Sequence, residues 1–274
     1  MKLYLVGTPI GNLSDISPRA IDTLKDVDFI AAEDTRVTLK ILTHFNIKKP
    51  LLSCREHNIR HKSKEIIRRI ESGESCAMVS DAGMPCISDP GEELVRECAK
   101  CGIEIVVVPG PCALISALCL SGLSTERFSF EGFLSVKKRS RREHLEAIKN
   151  LNHTLIFYEA PHKLEYTLKD LYETLGERQI AICRELTKIH EEVKRGNLSE
   201  FITFYETQKP RGEFVLVIEG KKHENTPETD IKEAVQIARK LTSEGLSTAE
   251  ASKLTAKQTG HKRSEIYRQL TVIK

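Results

Sequence analysis

Five short apolar runs in the first 110 residues, each closing on a loop rich in turn-forming residues, constrain this chain more than any other feature. They are LYLVG (3–7), VDFIAA (27–32), PLLSC (50–54), SCAMVS (75–80) and IEIVVV (103–108). Apolar runs this short, bounded by Gly, Pro, Asp or Asn, read as buried strands; a helix needs a longer periodic stretch. Helical segments lie between them. Ser17-Pro18 sets an N-cap serine before an N1 proline, with Ile21 and Leu24 at helical spacing. The stretch through Leu39, Leu42 and Phe45, then NIRHKSKEIIRRIESG (58–73), PGEELVRECAKCG (90–102) and CALISALCL (112–120), continue the rhythm. The alternation predicts a parallel sheet covered by helices.

The second half follows another order. FSFEGFL (128–134), HTLIFYE (153–159), QIAICREL (179–186) and EFVLVIEG (213–220) read as strands, and HEEVKRG (190–196) lies between the last two. A basic stretch follows the first of these strands, and a helix begins near His162 carrying Leu164, Leu168, Leu171 and Leu175. Strands in hairpin-like order with fewer crossovers predict a second α/β domain, joined to the first near residues 122–126. KKHENTPETD (221–230) has the polar character of a linker. Three short helices follow, with Ser247 and Glu250 forming a capping box and Gly245 and Gly260 ending the first two. The expected organisation is α/β: an N-terminal domain over 1–123, a second over 124–222 and a helix-turn-helix-like module over 228–274.

Composition removes several classes. The net charge of +3 is mild, so a nucleic-acid role must rest on where the basic residues lie. Eight cysteines without a secretory signal or an even framework fit a reducing cytosol, and several sit in apolar runs as small hydrophobes. Cys98 and Cys101 form a lone CxxC, which without a second pair is no zinc signature. Residues 103–123 mimic a membrane span, but Glu104 and the Pro109-Gly110-Pro111 break make them a strand, a turn and a small-residue helix.

In such a sheet, ligands bind beyond the carboxyl ends of the strands. The loops there are GTPIGN (7–12), EDTR (33–36), REHN (55–58), SDAGMPCISDPG (80–91) and PGPCA (109–113). Their glycines let backbone approach a ligand closely, and their prolines fix the loops. Asp89, just before Pro90, reads as a cap for the next helix. Asp81, directly at a strand end, reads either as a ligand partner or as a turn cap. Walker, GxGxxG, HExxH and GxSxG patterns are all absent.

Taken in order, YLVGTPIGNLSDIS, AAEDTR, VSDAGMPCISDPG, VPGPCALISAL, FYEAPHKL and GEFVLVIEG resemble the tetrapyrrole-methylase superfamily, the class III S-adenosylmethionine methyltransferases, and within it the branch acting on small-subunit ribosomal RNA. The resemblance covers residues 3–220 and implies two α/β domains with S-adenosylmethionine in the cleft between them. It also implies a homodimer and, as substrate, the ribose 2′-oxygen of a cytidine in the decoding region of 16S rRNA. By motif, the cofactor contacts carried over are Pro9, Asp81, Ala82, Gly83 and Met84, then Cys112 and Ala113. Tyr158, Ala160, Glu213 and Phe214 complete the set. Relatives often carry Ser where this chain has Cys112. Tyr158 has a second reading, as an aromatic packed on the seam between the domains.

Methyl transfer to a ribose hydroxyl is an in-line displacement whose rate depends on positioning and on a nearby base or cation. Arg36, Glu56 and His57 are the catalytic candidates. Glu56 or His57 would take the proton, and Arg36 would hold a flanking phosphate. For RNA, KKRSRR places Lys137, Lys138, Arg139, Arg141 and Arg142 together, and Lys257, Lys262 and Arg263 bracket a C-terminal helix start. No metal is expected. Two other readings stay open: a methyltransferase of the same fold acting on a porphyrinoid or modified histidine, and a non-catalytic RNA-binding or ribosome-assembly factor. The basic segment and terminal helices argue against the first, the complete set of cofactor loops against the second.

Overall fold

The computed structural model describes residues 1–55, 57–89, 91–222 and 230–271. Contacts divide the chain into two compact units, Met1–Lys221 and Lys222–Lys274.

The first unit opens with β1 (Lys2–Val6), α1 (Pro18–Asp26), β2 (Phe29–Ala32), α2 (Thr35–His44), β3 (Leu51–Ser53), α3 (Ile59–Glu71), β4 (Cys76–Val79), α4 (Gly91–Lys100), β5 (Glu104–Val108) and α5 (Ala113–Ser121). The five strands form one parallel sheet in the order β3-β2-β4-β1-β5. Its central strands are buried on both faces, as their apolar sequences require: β2 and β4 have no exposed residue. The Ser17 hydroxyl accepts from the Ala20 amide at 3.1 Å and starts α1 as the sequence predicts.

The same unit continues with β6 (Phe128–Gly132), α6 (Lys138–Ile148), β7 (Thr154–Glu159), α7 (Leu164–Leu175), β8 (Gln179–Arg184), β9 (Glu192–Asn197), α8 (Leu198–Thr207) and β10 (Phe214–Ile218). These strands form a second sheet in the order β6-β7-β10-β8-β9, parallel only between β6 and β7. One face buries Phe157, Leu216 and Ile218 against α7 and α8. The other receives α5, whose Leu114, Ala117 and Leu118 pack with Ile156, Ala181 and Val217. The small residues of α5 let it lie close to that sheet, so a helix that follows the first sheet is buried by the second.

Two segments that the sequence left unassigned take regular structure. HEEVKRG contributes β9, an edge strand; its charged residues tolerate the open edge while its amides pair with β8. KKRSRR opens a helix, whose only buried residues, Leu145 and Ile148, lie at its far end.

The second unit is α9 (Ile231–Ser243), α10 (Thr248–Thr259) and α11 (Arg263–Thr271) around Ala234, Ala238 and Ile266. The Ser247–Glu250 capping box forms, and Gly245 and Gly260 take positive φ of 102° and 74°. No helix among the described residues is long and apolar enough to cross a membrane.

Candidate active site

Because the first sheet is parallel, all five loops after its strands open on one rim. The order places β4 directly beside β1, so the loops that follow them touch. The Thr8 amide donates to Gly83 O at 2.9 Å, and the Gly83 amide returns to Thr8 O at 3.1 Å. Gly83 has φ +84°, which favours glycine. The loop after β5 closes the set. A Cβ built on Gly7 would fall 2.6 Å from the Gly110 Cα, so the two backbones touch where no side chain fits. The Gly110 amide donates to Met84 Sδ at 3.3 Å.

Asp89 fixes the rest of the loop after β4. Its carboxylate accepts from the amides of Cys86 (2.8 Å), Gly91 (2.9 Å) and Ile87 (3.2 Å). Those bonds hold Cys86 and Ser88 at φ +73° and +61°, a conformation that costs a non-glycine residue about 1–2 kcal/mol.

Across from this rim, β7 and β10 supply the other wall. The Tyr158 hydroxyl accepts from the Leu114 amide at 3.2 Å. It thereby caps α5, whose N-cap residue Cys112 makes no side-chain cap bond. Burial pushes the Tyr158 phenol up to about 12, so it stays protonated. Glu159 is 3 % exposed. Its carboxylate accepts from the Ala160 amide at 2.8 Å and from the Thr167 hydroxyl. That hydroxyl in turn accepts from Arg141 Nη2 at 2.8 Å, and Arg141 pairs with Asp170. Arg141→Met is therefore expected to lower stability by about 1–3 kcal/mol, since it takes a donor from the buried Thr167 hydroxyl and the charge partner from the half-buried Asp170. Arg139→Ala, at a side chain 91 % exposed, is expected to change it by less than about 0.5 kcal/mol in urea denaturation.

Between the walls lies a cavity of ≈ 410 Å³. Five acidic residues line it, Glu33, Asp81, Asp89, Glu159 and Glu213, and no Lys, Arg or His among the described residues does; the Glu159 carboxylate is held by Thr167, and that of Glu213 pairs with Lys188 at 2.8 Å. Asp81 Oδ1 accepts from the Asp34 amide at 2.9 Å. Burial, then the charges of neighbouring acids, raises Glu33 above the ordinary range; burial, partly offset by the Asp34 amide, raises Asp81. Asp34 behaves oppositely: bonds from Arg36 hold it well below the usual range.

Ten of the eleven residues carried over as cofactor contacts line this space. They are Asp81, Ala82, Gly83 and Met84; Cys112 and Ala113; Tyr158, Ala160, Glu213 and Phe214. Pro9 does not, but its neighbour Ile10 does. Arg36 is exposed and tied to Asp34, and His57 is exposed; neither lines the cavity. Glu56 lies outside the described residues. Lys137, Lys138, Arg139 and Arg142 are exposed at the start of α6, whereas Arg141 turns inward to Asp170 and Thr167. Lys257 is in α10, and Lys262 and Arg263 stand at the start of α11. Glu33 lies in the EDTR loop that the sequence placed on the rim without a role of its own, and Glu159, not singled out from the sequence, sits at the end of β7. No group of three metal-ligating side chains occurs among the described residues.

Residues 2–202 match the family model of the tetrapyrrole (corrin/porphyrin) methylases. The chain belongs to that family. It is a methyltransferase, and this tetrapyrrole methylase has well-matched relatives. A protein of Synechocystis sp. is 47% identical over 266 residues, 97% of this chain and 95% of its own length; it is named ribosomal RNA small subunit methyltransferase I. Proteins of the same name from Thermotoga maritima and Bacillus subtilis are 50% and 45% identical, covering 81% and 97% of this chain and 99% and 92% of their own lengths. Among solved structures, a diphthine synthase superposes with a TM-score of 0.65 at 15% identity, over 81% of this chain and 91% of its own. The cobalt precorrin-4 methyltransferase gives 0.59 at 14%, over 80% and 94%. At those identities the likeness is one of fold.

Proposed function

We propose that this tetrapyrrole methylase transfers a methyl group from S-adenosylmethionine to the ribose 2′-oxygen of a cytidine in the decoding region of 16S rRNA. The observation that carries the reading is the acid-lined, backbone-knit cavity, in a chain whose full-length relatives are named for small-subunit rRNA methylation. When bound, S-adenosylmethionine supplies an electrophilic methyl on a cationic sulfonium. Acidic residues gathered in one cavity, with no basic side chain among the described residues lining it, suit a cationic ligand and repel a polyphosphate. The Gly7–Gly110 contact packs the loops after β1 and β5 backbone to backbone, and Gly83, at positive φ, lines the cavity without a side chain. Asp81, Ala82, Gly83, Met84, Cys112 and Ala113 would hold the donor from one side. Tyr158, Ala160, Glu213 and Phe214 would hold it from the other, with Pro9 acting through the packing of its loop.

The acceptor requires positioning and a route for one proton. Arg36, exposed at the rim and oriented by Asp34, is our candidate for a flanking phosphate; Glu56 or His57, after β3, is our candidate to take the proton. Lys137, Lys138, Arg139 and Arg142 would track the RNA backbone, joined by Lys257, Lys262 and Arg263 of the helical unit. We infer further that residues 1–123 and 124–222 act as two α/β domains, that 228–274 is an RNA-binding module, and that the protein works as a cytoplasmic homodimer without metal.

The test is transfer of label from S-adenosylmethionine to small subunits taken from cells lacking this gene. Labelled 16S rRNA is expected. Donor binding with no label on RNA would point to a small-molecule or protein substrate, and no donor binding to an RNA-binding factor without catalysis.

A further inference from the structure

We propose that Phe133 and Ile87 grip the base of the acceptor nucleotide at the mouth of the cavity, with Phe133 as the stacking face. The proposal rests on the rRNA methyltransferase reading and deepens it. Phe133 follows β6 of the second sheet, and Ile87 lies in the loop after β4 of the first. Both line the cavity, yet Phe133 is 53 % exposed and Ile87 40 %. The loops that carry them face each other: a Cβ built on Gly132 falls 3.9 Å from Ser88 Oγ. Neither exposure is an accident of a loose loop. Leu134 is 2 % exposed in the core and turns its neighbour Phe133 outward, while the Asp89 carboxylate accepts from the Ile87 amide. Large apolar surface held in water beside a binding cavity is recovered when a flat ligand covers it.

Charge selects the occupant. The carboxylates inside the cavity exclude phosphate, whereas exposed Lys137, Lys138 and Arg139 begin four residues beyond Phe133 and attract it. A ligand that satisfies both is planar and uncharged at the mouth and anionic outside, which describes a nucleobase on a phosphodiester chain. Inward of Phe133 the wall stays aromatic, with its ring 5.6 Å from Tyr158 and Tyr158 4.8 Å from Phe130. A nucleotide stacked in a helix cannot bring its ribose into this space. It must leave the stack, and a waiting aromatic face offsets part of that cost.

The experiment compares wild type with Phe133→Ala, Phe133→Leu and Phe133→Trp. It measures donor affinity by calorimetry without RNA, and kcat/KM for small subunits at saturating donor. Wild type that leaves small-subunit RNA unlabelled would overturn the underlying reading, and the proposal with it. With wild type active, Phe133→Ala is expected to keep donor affinity within about twofold and to lose on the order of 10- to 100-fold in kcat/KM for RNA. Trp is expected to restore most of it and Leu little. An unchanged kcat/KM in the alanine variant overturns the proposal. A parallel loss of donor affinity does so too, since Phe133 would then be part of the donor wall. Leu performing as well as Trp also overturns it, because apolar bulk rather than a stacking face would suffice.

Discussion

Gly7→Ala is expected to cost about 1–3 kcal/mol of stability and to weaken donor binding roughly tenfold or more. The added methyl would meet Gly110 Cα at 2.6 Å, Gly110 N at 2.8 Å and Met84 Sδ at 2.8 Å. Two of those obstacles are backbone, and the backbone is not free to yield. The Gly7 amide already donates to Val108 O at 3.1 Å, and Thr8 is bridged to Gly83 on the other side. Relief can come only by spreading the loops after β1 and β5, which lie on the first-sheet side of the cavity. Gly102→Ala is the control. Its φ of +68° penalises a side chain, but its Cβ would meet nothing within 4 Å. It is expected to cost about 1 kcal/mol and to leave donor binding unchanged. Urea denaturation and titration calorimetry on both variants read the two quantities separately. Equal effects of the two substitutions on donor affinity would show that the loop contact does not shape the site.

Removing charge from the acid pair is expected to move stability and binding in opposite directions. Asp81→Asn keeps an oxygen that can accept from the Asp34 amide, and Glu33→Gln keeps the shape of Glu33. Each removes a negative charge from the cavity proposed to hold a cationic donor, so donor affinity is expected to fall by roughly 10- to 100-fold. The unliganded protein responds the other way. Both acids have folded-state values raised above their ordinary ones, so their ionised forms cost stability. That cost is present at neutral pH and disappears as pH falls through the raised values. Glu33→Gln is therefore expected to melt higher than wild type at pH 7, and the difference is expected to vanish in acid. Donor affinity of wild type is expected to decline as pH drops, starting above the range of an exposed carboxylate, and to decline less steeply in Glu33→Gln, where Asp81 remains to titrate. A melting temperature that falls at pH 7 in Glu33→Gln would contradict this assignment of the charge.

Much of this was legible in the sequence because local rules decided it. Short apolar runs closing on loops of turn-forming and charged residues specified β1 to β5, and the rim of loops follows once those strands are parallel. Ser17, Ser247, Gly245 and Gly260 act as caps because capping depends on residues within one turn. What stayed hidden depends on partners far along the chain. Nothing local in HEEVKRG marks a strand; its pairing with β8 makes it one. Arg141 reads as one more basic residue of KKRSRR until Asp170 and Thr167, more than 25 positions away, draw it inward. Insertion of β4 between β1 and β2 brings Thr8 against Gly83 and sets Asp81 beside Glu33, a crossover that no periodicity encodes. Arg36, which the sequence places in the loop after β2, lies in the first turn of α2, and its side chain stays outside the cavity because Asp34 caps that helix and holds the guanidinium there.

The most direct test of the account is the position of the new methyl group. Small-subunit RNA labelled by the protein would be hydrolysed in alkali and the products separated. A methyl on the ribose 2′-oxygen removes the nucleophile that cleaves the adjoining phosphodiester. All label is therefore expected in an alkali-stable dinucleotide that begins with 2′-O-methylcytidine. Label released in mononucleotides would place the methyl on a base and contradict it.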